Sequence, residues 1–361
     1  MYWQTTYGQI DITIQVIKHK DTQTRLKPFA EASGVLCRGY SLPMQRAMTD
    51  FGADESFSEA VKKIREHYGI NVSISATQRI TEQHAELIHL EEEARHQKFL
   101  AVKQQDERAK TIISEIDGSM VPIVEISLPS DKTAEEVDLR KYRKLVYKEA
   151  RLALSHEQGS VTPVYAATMG DVHEAGKQLR FSAEAVGLNE NTKIHGVGDG
   201  APWIAIQFEN QFAARSTYLI DFYHLCEYLA EAAKNIPTNG PTWIEQQKAL
   251  LKESQSDQVL MALKPYLEPS NVSDENAPVR ACYRYIENRP GQFHYKEALE
   301  KELPIGSGEV ESEHRYISQK RLKLAGAWWK DKNAANMLSL RVLRANDNWD
   351  SYWNTIRLNA A

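Results

Sequence analysis

At 361 residues the chain has room for two or three domains of ~100–200 residues, and 42% hydrophobic with 26% charged content fits a folded globular protein rather than a disordered or fibrous one. No apolar run approaches the ~18 residues of a membrane helix, the start Met1-Tyr2-Trp3-Gln4 lacks the features of a signal peptide, and three scattered cysteines (Cys37, Cys226, Cys282) offer neither a zinc pair nor a disulfide framework. A cytoplasmic protein with reduced thiols is therefore expected; its net charge of −5 argues mildly against nucleic acid, but eight Lys or Arg against the single acid Asp331 between positions 315 and 344 predict one basic surface.

Residues 1–35 read as a strand region. Ile10, Ile12 and Ile14 alternate with Asp11, Thr13 and Gln15 at the period of a half-buried strand, and 20–23 reads as a hairpin turn. Residues 36–85 read as three short helices. Ser56 and Glu59 have capping-box spacing, Phe57, Val61, Ile64 and Tyr68 follow at helical spacing, and Gly69 supplies the stop. Ser73 or Ser75 caps the next helix. Helix, glycine turn and helix is the layout of a helix-turn-helix reader, with Thr77, Gln78 and Arg79 facing the major groove; a plain helical hairpin is the commoner use of such a pair. Residues 86–110, charged and without Gly or Pro, read as a solvated connecting helix.

From Thr111 the texture changes to strands. Residues 112–116 run into Asp117-Gly118, and an apolar run resumes at 120–124. Further strands are expected near 147–155 and 161–168, a helix over 171–186, a strand over 193–197, and another at 218–220 ending in Asp221. This order predicts an α/β fold with a mixed sheet over 111–224, followed by helical sequence over 225–303 and again over 304–361.

Three acids fall at structural boundaries. Asp117 sits at the end of the first strand, Asp199 follows a strand, and Glu311 lies where a glycine-flanked turn opens a helix. Mg²⁺ takes oxygen ligands, and two ions ~3.5–4 Å apart can hold the attacking and leaving oxygens of a phosphoryl displacement. Such a site needs carboxylates delivered from separate rigid elements. Taken singly, each acid has a plainer use: an Asp-Gly after a strand is usually a turn, and an acid in a first helical turn complements the helix dipole. Asp221, with His224 three residues on, forms a competing triad with Asp117 and Asp199; its plainer reading is a helix N-cap, with His224 as a supporting hydrogen bonder.

The ordered set IDGSMVPIVE from Ile116, YKEARLAL from Tyr147, GDGAPWI from Gly198, LIDFYHLCEYL from Leu219 and PIGSGEVESEHRYISQKRLKLAGAWW from Pro304 resembles the DDE transposases of bacterial insertion sequences, most closely the ISKra family. The resemblance covers nearly the whole chain, including SFSEAVKKI from Ser56. It implies a ribonuclease H-like catalytic core with an inserted all-α domain and an N-terminal helix-turn-helix domain. It assigns Asp117, Asp199 and Glu311 to catalysis and to Mg²⁺, for which Mn²⁺ substitutes. Glu309, an extra acid, points about 200° away from Glu311 on a helix. Arg315, Lys320, Arg321 and Lys323 are then placed to touch DNA phosphate, while Trp328 or Trp329 either stacks on a flipped base or packs in the core. The implied partners are double-stranded DNA, as transposon ends and target, and further copies of the chain in a homodimer or larger assembly on DNA in the cytoplasm, with no membrane. A cleavage-only nuclease and a non-catalytic DNA-binding protein are the rival readings.

Overall fold

The computed structural model describes residues 2–11, 13–22, 24–32, 39–99, 110–128, 138–237 and 240–359. Ile12 of the expected alternation and Cys37 lie outside them. Strands β1 (Tyr2–Thr5) and β2 (Gly8–Asp11) form one small hairpin, and β3 (Ile17–Lys18) pairs with β4 (Arg25–Leu26) across the expected turn. Helix α1 (Pro28–Ala32) leads to three longer ones, α2 (Leu42–Asp54), α3 (Phe57–Tyr68) and α4 (Ile74–Phe99).

Their ends follow from local chemistry. Ser56 Oγ accepts from Glu59 N–H at the start of α3, Gly69 ends that helix at φ 69°, and Ser73 Oγ accepts from Ala76 N–H in the first turn of α4. The end of α4 differs from expectation. It runs without a break past position 85, because Ile80, His84, Ala85 and Ile88 are buried against the rest of the chain. The stretch 86–99 thus continues α4, with Ile88 buried while Leu90, Glu91, Glu93, Ala94 and Arg95 are exposed; 100–109 lie outside the described residues.

The centre is a five-stranded mixed sheet in an α/β arrangement. Strands β5 (Thr111–Ile126), β6 (Arg143–Glu157) and β7 (Val164–Thr168) are followed by α5 (Val172–Val186), β8 (Lys193–Gly198), α6 (Pro202–Phe212) and β9 (Ser216–Ile220). The order across the sheet is β7-β6-β5-β8-β9, with β6 antiparallel to both β5 and β7, and β8 parallel to both β5 and β9. Asp117 does not end a strand: β5 is continuous, with Asp117 opposite Leu152 and Gly118 opposite Arg151. Gly118 serves the sheet and not a turn, since a Cβ there would lie 1.9 Å from Oε1 of Glu149.

Strand alternation separates two cores. Ile112 and Ile116 of β5 face α5 and α6, packing with Leu179 and Phe208, while Val121 and Ile123 join Ala85 and Ile88 of α4 on the opposite side. Glu115 and Asp117 share the parity of Val121.

Beyond β9, α7 (Phe222–Ala233), α8 (Gly240–Lys252), α9 (Ser256–Leu263), α10 (Pro278–Glu287) and α11 (Tyr295–Glu300) build a third core around Leu225, Leu251, Cys282 and Tyr295. The chain then returns to the sheet through α12 (Gly308–His314), a π-helical turn (Arg315–Gln319), α13 (Lys320–Leu322), α14 (Asp331–Ala345) and α15 (Trp349–Asn359). Trp329 is buried, and its carbonyl accepts from Val124 N–H, whereas Trp328 is 56% exposed. The α4 helix, the sheet and the C-terminal helices share one continuous core. Among the described residues no helix is long and apolar enough to cross a membrane.

Candidate active site

The parallel register pairs Glu115 with Val197, so two residues further along Asp117 stands level with Asp199, where β8 leaves the sheet. Glu311 comes from the first turns of α12, which packs against β5. Asp199 acts on both of the other carboxyls. Burial, then repulsion from Asp199 and Glu311, raises the Asp117 carboxyl to about 6 against the pull of Gly118 N–H. Glu311 is raised too, first by burial and then by Asp221, with Asp199 also contributing.

Two other buried carboxyls dock α12 there. Asp221 caps α7, its Oδ1 accepting from the N–H groups of Tyr223 and His224, and its Oδ2 accepts from Ser307 N–H and Ser307 Oγ, each at 2.7 Å. All four bonds go to structure, which accords with the N-cap reading and leaves Asp221 a poor rival ligand. Glu115 is 1% exposed, and its Oε2 accepts from Val310 N–H at 2.9 Å, tying the first turn of α12 to the central strand. Burial raises Glu115 to about 8. Glu309 turns the other way, toward Nε2 of His156 at 3.2 Å, an ion pair when the ring is protonated. His224 lies with Glu311, Tyr223 and Glu227 along an open cleft of 570 Å³.

His314 was not a sequence candidate. It follows Glu311 by three residues, a spacing that puts both on adjoining parts of one helix face and could have flagged it. It is 2% exposed, its Nδ1 is 2.9 Å from Ser318 Oγ, and its Nε2 lies 3.7 Å from Asp117 Oδ2 without a hydrogen bond. Burial lowers the ring to about 4 despite the opposing Asp117 carbonyl. Glu115 was likewise missed, although it shares a strand face with Asp117 by the period of two.

The Asp199 loop is held from the helical insertion. Tyr285 Oη donates to the Asp199 carbonyl at 2.5 Å, Arg289 Nε donates to the Gly200 carbonyl at 2.8 Å, and Gly200 N–H donates to Tyr218 Oη. Asp199 Oδ1 itself accepts from Ala201 N–H at 2.8 Å.

A family model matches part of this chain. It describes an uncharacterised protein family (UPF0236) and spans residues 176–353. The UPF0236 match includes Asp199, Glu311 and His314, and Asp117 falls outside it. No curated protein matched the chain.

The expected DNA contacts are divided by the structure. Gln78 and Arg79 are exposed at the start of α4, but Thr77 is fully buried, its hydroxyl donating to the Ser73 carbonyl, and cannot face a groove. Arg321 is also withdrawn: it is 2% exposed, stacked between the Phe57 and Trp329 rings, and donates to the Gly52 carbonyl. The basic surface is smaller than its charge count. Arg341 is buried on Asp54, Arg344 pairs with Asp50, Lys332 with Glu86, and Lys320 lies 3.7 Å from Asp54. Arg315, Lys323 and Lys330 are exposed, and among the described residues none of the three makes an ion pair.

The donor set of Asp117, Asp199 and Glu311 suits a hard divalent cation in its chemistry, and the unpartnered His314 Nε2 faces the same place. In this structure, however, no three or more His, Cys, Asp or Glu side chains among the described residues are placed so that they could hold a metal ion.

Proposed function

We propose that this protein is a DDE-type DNA transposase acting on cytoplasmic DNA, with a ribonuclease H-like core whose divalent cations are held by Asp117, Asp199 and Glu311. What supports this reading is that Asp199 and Glu311, distant in sequence, lie near enough to Asp117, on the central strand of a sheet ordered β7-β6-β5-β8-β9, to help raise its carboxyl. That order, an antiparallel three-strand meander followed by two parallel strands, supports the reading of a ribonuclease H-like core. Like charges held together without counter-charge are unfavourable, which makes sense when the site is built for a cation.

Bound Mg²⁺, or Mn²⁺ in its place, supplies the charge stabilisation and the activation of the attacking oxygen. The chain supplies position. Asp117 is fixed by the central strand, Asp199 by Tyr285 and Arg289, and Glu311 by the docking of α12 on Glu115 and Asp221. Water would attack a phosphodiester at the element's end and displace a 3′-hydroxyl; that hydroxyl would then attack a target phosphodiester and displace the target strand's own 3′-hydroxyl. Arg315 and Lys323 hold the backbone, and Gln78 and Arg79 read the terminal sequence, with the two ends joined by a homodimer or larger assembly.

The test is to incubate the protein with Mg²⁺ and DNA carrying the sequences that flank its gene. Cleavage with joined product is expected. Cleavage without joining makes the protein a nuclease, and binding without either makes it a non-catalytic DNA-binding protein.

A further inference from the structure

Trp328 is the exposed member of a tryptophan pair whose other ring is buried, and it lines a cavity of 430 Å³. The cavity lies where α3 and α4 meet the end of the β5–β6 pair and the loop between α13 and α14. Trp329 fixes that loop: its indole N–H donates to the Leu322 carbonyl at 3.1 Å, and its carbonyl accepts from Val124 N–H at 2.7 Å. Trp328 is therefore presented from backbone pinned to the central strand. A ring left 56% exposed there forgoes the burial that its neighbour has.

The rest of the lining suits one chemistry. Arg143 and Lys330 are exposed, and among the described residues neither makes an ion pair. Buried Arg321 lines the cavity as well, its charge held between the Phe57 and Trp329 rings. The one carboxylate in the lining, Glu82, accepts from the Gln78 and Asn333 amides at 3.0 and 2.9 Å, and both amides keep further donors and acceptors. An aromatic face, unpaired cations and a set of amides answer the three parts of a nucleotide: base face, phosphate and base edge. A purely apolar ligand would leave the cations unanswered, and a bare phosphate would leave the ring.

We propose that this cavity takes a single unpaired nucleotide of a DNA strand, with its base stacked on Trp328 and its phosphate on Arg143 and Lys330. The proposal rests on the reading of the protein as one that acts on DNA, and adds to it a site for a strand that has left the duplex.

The test uses the full chain and a short single-stranded oligodeoxynucleotide carrying one 5-iodouracil, a base that photocrosslinks to the aromatic side chains it stacks on. Fluorescence anisotropy follows binding, and peptide mass spectrometry locates the crosslink. The expected crosslink is to Trp328. Trp328→Ala should bind the strand at least about fivefold more weakly, and Trp328→Phe should recover most of that loss. Tyr147→Ala, which removes an exposed ring that does not line the cavity, should match the wild type. Lys330→Ala should reduce the salt slope of single-strand binding by about 0.7. A wild-type crosslink at another residue, or full affinity in Trp328→Ala, overturns the cavity assignment; the wild-type crosslink decides alone should Trp328→Ala fail to fold. Free dAMP bound in preference to the strand overturns it too. Duplex bound without single strand overturns the cavity assignment and leaves the transposase reading standing. Failure to bind DNA in any form overturns both.

Discussion

Glu115 holds its proton where an exposed glutamate would not, because burial raises it to about 8 beside Glu309 and Asp221. A carboxyl whose folded pKa exceeds its unfolded value of ~4.3 contributes stability that is complete below that value and lost as pH rises through the folded one. His84 and His314, both lowered to about 4, act in the opposite sense at lower pH, so a single melting curve mixes the two. Comparing Glu115→Gln with the wild type isolates the carboxyl: the variant's Tm should gain on the wild type steadily from about pH 5 to about pH 8. A constant difference would mean that Glu115 does not titrate in that window. At the same scale, Arg321 and Lys323 are neighbours with opposite roles. Arg321→Ala removes two ring contacts and the Gly52 bond, so a loss of about 2–4 kcal/mol in stability is expected. Lys323→Ala should leave stability within about 0.5 kcal/mol but reduce the salt slope of DNA binding by about 1. Sequence reading grouped both as phosphate contacts because a run of basic residues carries no sign of which one turns inward.

At the scale of elements, the Asp199 loop depends on α10 and the residues just after it. Gly200 has φ 83°, and a Cβ there would lie 2.4 Å from Tyr285 Oη. Gly200→Ala is therefore expected to cost more than about 1 kcal/mol in thermal unfolding. Arg289→Ala, which frees the Gly200 and Tyr285 carbonyls and removes the guanidinium from the Tyr285 ring, should cost about 1–3 kcal/mol and reduce DNA cleavage more than it reduces stability. Equal losses in the two measurements would assign Arg289 to folding alone. Local signals predicted this level well where the chemistry is local, as at the Ser56 and Asp221 caps and the Gly69 stop. They failed where a distant partner decides. Asp117-Gly118 reads as a turn in isolation, but β6 pairs along its whole length and makes it mid-strand. The first part of the charged stretch after position 85 reads as solvated, but Ile88 packs into the core that α14 and the sheet share.

Across the whole molecule, the N-terminal helices, the sheet and the C-terminal helices share a core, which α12 joins through Val310 while packing on β5 and β6. Asp199 and Glu311 are marked in the sequence by a strand end and a glycine-flanked helix start, whereas the strand end expected at Asp117 is mid-strand and the family resemblance is what singles that residue out. Glu115 and Asp221 as docking groups for α12 could not be read there, because their partners Val310 and Ser307 are far along the chain. The central claim is that three particular acids form the catalytic set. Mg²⁺-dependent cleavage of the gene's flanking DNA by single variants tests it most directly. Asp117→Asn, Asp199→Asn and Glu311→Gln should each lose at least about a thousandfold while remaining folded, and Glu309→Gln should stay within about tenfold of the wild type. Full activity in Asp117→Asn, or loss in Glu309→Gln with Glu311→Gln still active, would contradict the assignment.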